Sequence, residues 1–146
     1  GLVESSSNLG VVKTTDDTMT FESAVRSSVA TLRENLNAKT KMLCDTVNAK
    51  FENTDGYPAW EYAKDSKLEH ICIDVYEKLT GKKPIITAIH AGVECGLLLD
   101  KMKGAQAISM GPNMFEVHTP NEHLSISSVQ NVYDYLLAVL KAMNQY

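Results

Sequence analysis

The sequence has no basic excess: 14 lysines and arginines stand against 18 aspartates and glutamates, a net charge of −4. Proteins that grip phosphate backbones carry surplus lysine and arginine, so no nucleic-acid partner is expected. No apolar run approaches the ~20 residues that a membrane-crossing helix needs, so no membrane partner is expected either. Gly1 to Gly10 lacks a basic start followed by an apolar stretch, and no secretory signal is visible. An initiator Met is also missing, and the expectation is a chain that begins inside a longer protein. Cysteine is scarce. Cys44, Cys72 and Cys95 cannot all pair, and their spacing fits no CxxC metal or redox motif. Cys44 and Cys72 fall on apolar faces of expected helices, where cysteine acts as a small buried hydrophobe. Such usage suits a reducing cytoplasm. Internal repeats and low-complexity segments are absent. What is present is 146 residues, 44% hydrophobic and 22% charged. That composition excludes wholesale disorder and supports a core within one domain or two small lobes.

Along the chain, the first third predicts strand, strand, helix, strand. Residues around Leu9 and Val11 read as extended up to the Asp16-Asp17 turn signal. Met19, Phe21, Ser23 and Val25 alternate on one face of a second strand, with Arg26 on the other face near its end. A helix from about Ala30 to Asn48 carries Leu32, Leu36, Leu43 and Val47 as one stripe, and a strand over Ala49 to Thr54 is expected next. This is about half of a small α+β sandwich. A boundary is expected over Pro58 to Asp65.

Ser66 with Glu69 is a capping-box start, Leu68, Ile71, Cys72, Val75 and Leu79 make a helical stripe, and Gly81 ends it. Ile85 to Ile89 and Ala105 to Met110 read as buried strands, with a short helix from Glu94 to Met102 between them. A loop with two prolines covers Gly111 to Asn121. The last helix is expected to start at Ser127, with Gln130 completing its capping box. Its expected core face is Val129, Val132, Tyr133, Leu136, Leu137 and Leu140. Residues 66–146 therefore read helix, strand, helix, strand, helix, and the fold class is α/β, layered after an α+β first part.

In open α/β sheets, ligands sit beyond the C-terminal strand ends. Two segments fall there: His90 to Gly96, and Gly111-Pro112 through Glu122. His118 is the sharper candidate, because neutral imidazole is a common zinc ligand and Thr119-Pro120 stiffens the backbone beside it. A solvated loop histidine is the plainer alternative. One His is not a site: a catalytic zinc takes about three protein ligands, and no HExxH is present. His123 reads as a surface residue, and His70 as structural or exposed. Gly92 and Gly96 flank a strand-to-helix turn, allowing either close ligand approach or simply a tight turn. Glu94 in a first helical turn suits the helix dipole as well as it would suit catalysis. Arg26 is either a carboxylate-gripping fork or a surface arginine.

Taken together these residues resemble a known family. His90-Ala91-Gly92-Val93-Glu94-Cys95-Gly96 is similar to the HAGLECG segment of the aminoacyl-histidine dipeptidases (Xaa-His dipeptidase, peptidase D), with Val93 in place of Leu. The resemblance extends in order through Gly1 to Val12, Val25-Arg26-Ser27-Ser28, Gly56-Tyr57-Pro58-Ala59-Trp60, Ser109-Met110-Gly111-Pro112 and His118-Thr119-Pro120-Asn121-Glu122. It covers essentially the whole chain.

The resemblance implies a cytosolic metallopeptidase with two zinc ions, acting on dipeptides such as Xaa-His through a metal-activated water, and a homodimer in the full-length protein. It implies that residues 1–57 are the second part of a ferredoxin-like lid, or dimerisation, domain. Residues 58–146 would be the C-terminal part of the catalytic domain. His118 would be the last metal ligand, Arg26 the lid arginine that binds the substrate carboxylate, and Gly92 a backbone contact to substrate. The remaining metal ligands, the bridging Asp and the general-base Glu are expected N-terminal to Gly1. The chain is then a fragment, with no catalytic residue of its own and no activity alone. Two rivals stay open: another clan member, such as an aminoacylase or deacetylase, and a non-catalytic binding or dimerisation module.

Overall fold

Hydrophobic alternation around a turn, followed by helical periodicity, produces the expected mixed α/β chain. The computed structural model describes residues 3–54, 56–89 and 94–144. Its elements are β1 (Ser5–Thr14), β2 (Met19–Ser27), α1 (Ala30–Thr46), α2 (Lys67–Thr80), α3 (Glu94–Lys101), β3 (Met114–Phe115), β4 (His123–Leu124) and α4 (Ile126–Met143). They fall into two compact units, Gly1–Tyr62 with Thr87–Ala105, and Ala63–Ile86 with Gln106–Tyr146. No described helix is long and apolar enough to cross a membrane.

In the first unit β1 and β2 form an antiparallel hairpin, with Thr14 opposite Met19 and Ser5 opposite Ser27. The Asp16-Asp17 turn is closed by Thr15 and Thr18, whose hydroxyls meet at 2.8 Å while the Thr15 N–H donates to the Thr18 carbonyl at 2.8 Å. The register shifts between Leu9 and Val11, a bulge at Gly10. At the far end Ser27 Oγ donates to the Glu4 carbonyl at 2.9 Å and accepts from the Val29 N–H at 3.0 Å. The strand thus hands over directly to α1. This helix packs on the hairpin, and Leu32, Leu36, Thr40 and Cys44 along it are half-buried. Leu43 and Val47, expected in the same stripe, are exposed at 62% and 73%. The half-buried apolar side of α1 thus runs at a spacing of four rather than through Leu43 and Val47.

In the second unit α2 and α4 pack around Ile71, Cys72, Val75 and Val139. Local signals set the limits of α2. Ser66 Oγ accepts from the Glu69 N–H at 3.3 Å, and Gly81 takes the left-handed C-cap at φ 69°. Gln106 adds a second cap, its Oε1 accepting from Ser66 Oγ at 3.0 Å and from the Leu68 N–H at 2.9 Å. Tyr135 ties the two helices: its Oη donates to the Cys72 carbonyl at 2.8 Å, and its ring meets Tyr76 edge-on at 5.7 Å. Burial pushes both the Tyr135 hydroxyl and the Cys72 thiol above their ordinary values.

Several expected elements differ. Ala49–Thr54, Ile85–Ile89 and Ala105–Met110 are not strands. A strand exists only through a ladder partner, and among the described residues none runs beside them. Ile85, Ile86 and Ile89 accordingly stay exposed, while Ile108 turns onto the α2–α4 core. The expected loop over Gly111 to Asn121 contains β3, paired with β4 through Met114 opposite Leu124 and Phe115 opposite His123.

Helix α4 is N-capped at Ser125, without a side-chain cap bond, rather than by a Ser127–Gln130 box. Gln130 Nε2 instead donates to Asp134 Oδ1 one turn on, at 2.9 Å. Its expected core face is also displaced. α2 packs on Tyr135, Ala138, Val139 and Ala142, while Leu136, Leu137 and Leu140 remain 43%, 40% and 50% exposed. The small Ala138 and Ala142 let α2 approach closely, which the bulkier leucine side does not. Cys44, expected to be buried, is only half-buried; Cys72 is buried, and none of the three cysteines forms a disulfide.

Candidate functional site

The β3–β4 hairpin presents His118. Two non-glycine residues in its turn have left-handed backbones, Glu116 at φ 50° and His118 at φ 67°. Such conformations need support from their surroundings. Here the His118 N–H donates to Glu122 Oε2 at 2.7 Å. Thr119 Oγ1 donates to the Glu116 carbonyl at 2.7 Å and accepts from the Asn121 N–H at 3.2 Å, and the Glu122 N–H reaches the Thr119 carbonyl at 3.1 Å. None of these bonds uses the imidazole. The imidazole of His118 is exposed and has no hydrogen-bond partner among the described residues.

The hairpin base is fastened to α4 by Ser128, which is buried. Its Oγ accepts from the Asn113 N–H at 2.9 Å and donates to the Ser125 carbonyl at 2.7 Å, and the Ser125 N–H reaches the Asn113 carbonyl at 3.0 Å. His123 plays a different part from His118. Its Nδ1 donates to the Asn121 carbonyl at 2.8 Å, and its ring stacks on Phe115 at 5.2 Å, so it braces the hairpin.

The described residues do not complete a metal centre. No group of three His, Cys, Asp or Glu side chains converges among them. His118 nonetheless fits a metal as one donor, because its ring is free and its backbone is fixed.

Arg26 belongs to the first unit, on β2 opposite Ser6, exposed and without an ion-pair partner among the described residues. A guanidinium displayed in this way can receive a carboxylate through two parallel N–H bonds. His90 and Gly92 lie outside the described residues. Glu94 opens α3, and His70 is exposed on α2.

Gly96, two residues into α3, is buried against Pro58-Ala59-Trp60. A Cβ there would meet the Pro58 carbonyl oxygen at 3.0 Å and Trp60 Cβ at 3.5 Å. Arg33 of α1 holds the same segment by donating to the Tyr57 carbonyl. Between them lies a cleft of about 320 Å³, lined by Arg33, Pro58, Gly96 and Asp100 among others. The glycine thus serves helix packing, the third possibility beside a turn and a ligand approach. Glu122, Ser128 and Arg33 carry no sequence signal strong enough to single them out, apart from Glu122 standing four residues after His118.

Residues 3–142 match the pattern of peptidase family M20/M25/M40. The chain belongs to this family. It is 33% identical over 141 residues to the cytosol non-specific dipeptidase of Escherichia coli (strain K12), a match covering 97% of the chain and 29% of that protein. It is also similar to the crystal structure of aminoacylhistidine dipeptidase from Vibrio alginolyticus, with a TM-score of 0.84 and 34% identity, covering 97% of the chain and 29% of that structure. The chain therefore spans 29% of the length of the relatives it matches.

Proposed function

We propose that this chain is the C-terminal portion of a di-zinc dipeptidase that hydrolyses dipeptides, Xaa-His among them. The observation that carries the reading is the family match over residues 3–142, with relatives on both sides of the comparison named as dipeptidases. A metal cofactor goes with that membership; its identity as zinc and the count of two are our reading. Residues 1–57 then form the second part of a lid and dimerisation domain, and 58–146 the end of the catalytic domain, in a cytoplasmic homodimer.

The roles of the side chains follow from their chemistry. His118 supplies one neutral imidazole to the metal pair, held by the hairpin beneath it. The chemistry that such ions supply when bound is Lewis-acid polarisation of the scissile carbonyl and activation of a water. Arg26 grips the C-terminal carboxylate of the dipeptide, a group not itself cleaved, and so fixes how the substrate lies. Gly92 contacts the substrate through its backbone. The general base and remaining ligands belong to the part of the relatives that this chain does not span.

His118→Ala in the full-length protein tests the reading. Losing one of about four ligands removes a donor and the geometry it sets, so turnover and metal content should both fall. Dipeptides and N-acyl amino acids should be assayed side by side. Preference for the N-acyl substrates would transfer the protein to the aminoacylase or deacetylase branch. Unchanged metal content and turnover in His118→Ala would reject the ligand role.

A further inference from the structure

Hydrogen bonds tie the β3–β4 turn together and leave the His118 ring free, and Glu122 makes the one that reaches His118 itself. We propose that Glu122 is a positioning residue: its carboxylate locks the left-handed backbone of His118 and so fixes the direction of the imidazole before a metal arrives. The proposal rests on the reading of His118 as a metal ligand.

Three observations lead there. First, His118 stands at φ 67°, a conformation that a side-chain-bearing residue adopts only where neighbours enforce it. Second, the bond that enforces it is charge-assisted. The His118 N–H meets Glu122 Oε2 at 2.7 Å, at the short end for an amide and a carboxylate. Third, Glu122 is itself anchored, because its N–H donates to the Thr119 carbonyl at 3.1 Å, and Thr119 is tied to Glu116 through both its side chain and its N–H. The carboxylate therefore acts from a fixed base. Released from it, the His118 backbone would relax out of the left-handed region, and the ring would sweep a wide arc. A metal site holds its ligands within tight distances, and outer partners of a ligand commonly change metal affinity by about 10–100-fold. Pro120 lies between the two residues and narrows the routes by which the turn could reorganise.

Glu122→Ala and Glu122→Gln in the full-length protein separate the possibilities, with His118→Ala alongside. Zinc affinity is read by chelator competition. The His118 amide is followed by ¹H–¹⁵N NMR as a measure of its hydrogen bond. Glu122→Ala is expected to weaken zinc binding about 10-fold or more and to shift the His118 amide upfield. Glu122→Gln, which keeps a carbonyl acceptor, should recover most of both. Equal loss of zinc in the Ala and Gln variants, with the His118 amide unmoved, would show the carboxylate acting as a ligand itself and overturn the proposal. Wild-type affinity in Glu122→Ala, with zinc lost only in His118→Ala, would overturn the positioning role and leave the ligand reading intact. Zinc retained in His118→Ala would overturn both.

Discussion

Replacing Gly96 by Ala sets two effects of opposite sign against each other, and the structure says which should win. In an unobstructed helix the change is favourable by about 0.5–1 kcal/mol, because glycine loses more backbone freedom on folding. At this position the new methyl would lie 3.0 Å from the Pro58 carbonyl oxygen and 3.5 Å from Trp60 Cβ. The first is backbone, and the adjoining Tyr57 carbonyl is held by Arg33, so the segment cannot simply swing aside. Overpacking of this kind costs about 1–3 kcal/mol. The net expectation is a loss of about 1 kcal/mol, or a urea midpoint lower by about 0.5 M for a slope near 2 kcal/mol/M. The chain has a single tryptophan, and Trp60 stands at the contact, so its fluorescence reports the unfolding locally. Gly56→Ala is the control, since nothing lies within 4 Å of its added methyl. A Gly96→Ala protein with a midpoint equal to or above the parent would refute the close approach of α3 to Pro58.

Ser128→Ala should cost about 1–3 kcal/mol by stranding the Asn113 N–H, and should speed hydrogen exchange at Asn113; unaltered exchange there would discount the fastening. Stability should fall in alkali. The Cys72 thiol and Tyr135 hydroxyl ionise at higher pH folded than unfolded, so from about pH 9 upward the unfolded chain releases protons first and is favoured. Tyr135→Phe should flatten the upper part of that decline in urea midpoints taken between about pH 8 and 11, and an unchanged slope would assign the effect elsewhere. In the full-length protein Arg26→Lys should lower kcat/KM for dipeptides by about 1.5–3 kcal/mol, because an ammonium lacks the paired donors of a guanidinium. The loss should shrink on C-terminally amidated substrates, and equal losses would make Arg26 structural.

What could be read from the sequence was what local chemistry decides. Ser66 and Gly81 bracket α2 because a cap hydroxyl and a left-handed glycine act within one turn of chain. The β1–β2 hairpin was legible because Asp16-Asp17 interrupts two alternating runs. Ile85 to Ile89 read as a strand through apolar content alone, yet strand formation depends on a neighbour that sequence pattern does not specify. Helix α4 turns a different side inward for a related reason: its leucines form the larger stripe, while the two alanines that admit α2 are a fainter signal in the sequence. His118 was picked out by its residue type and its family context. The left-handed backbone and the carboxylate beneath it stayed hidden, since a Glu four residues downstream is commonplace until the turn brings it back.

The outward leucines of α4 bear on how long such a chain survives in a cell. Holdase chaperones and proteases recognise uncovered apolar helix surface rather than any particular sequence, and a population that displays it is continually sampled by both. Leu136, Leu137 and Leu140 lie on that surface while Val139 is tucked away, so burial of the one core leaves the signal intact. Abundance of the chain should therefore follow how quickly this side of α4 is occluded after synthesis, more than the strength of the packing that α2 provides.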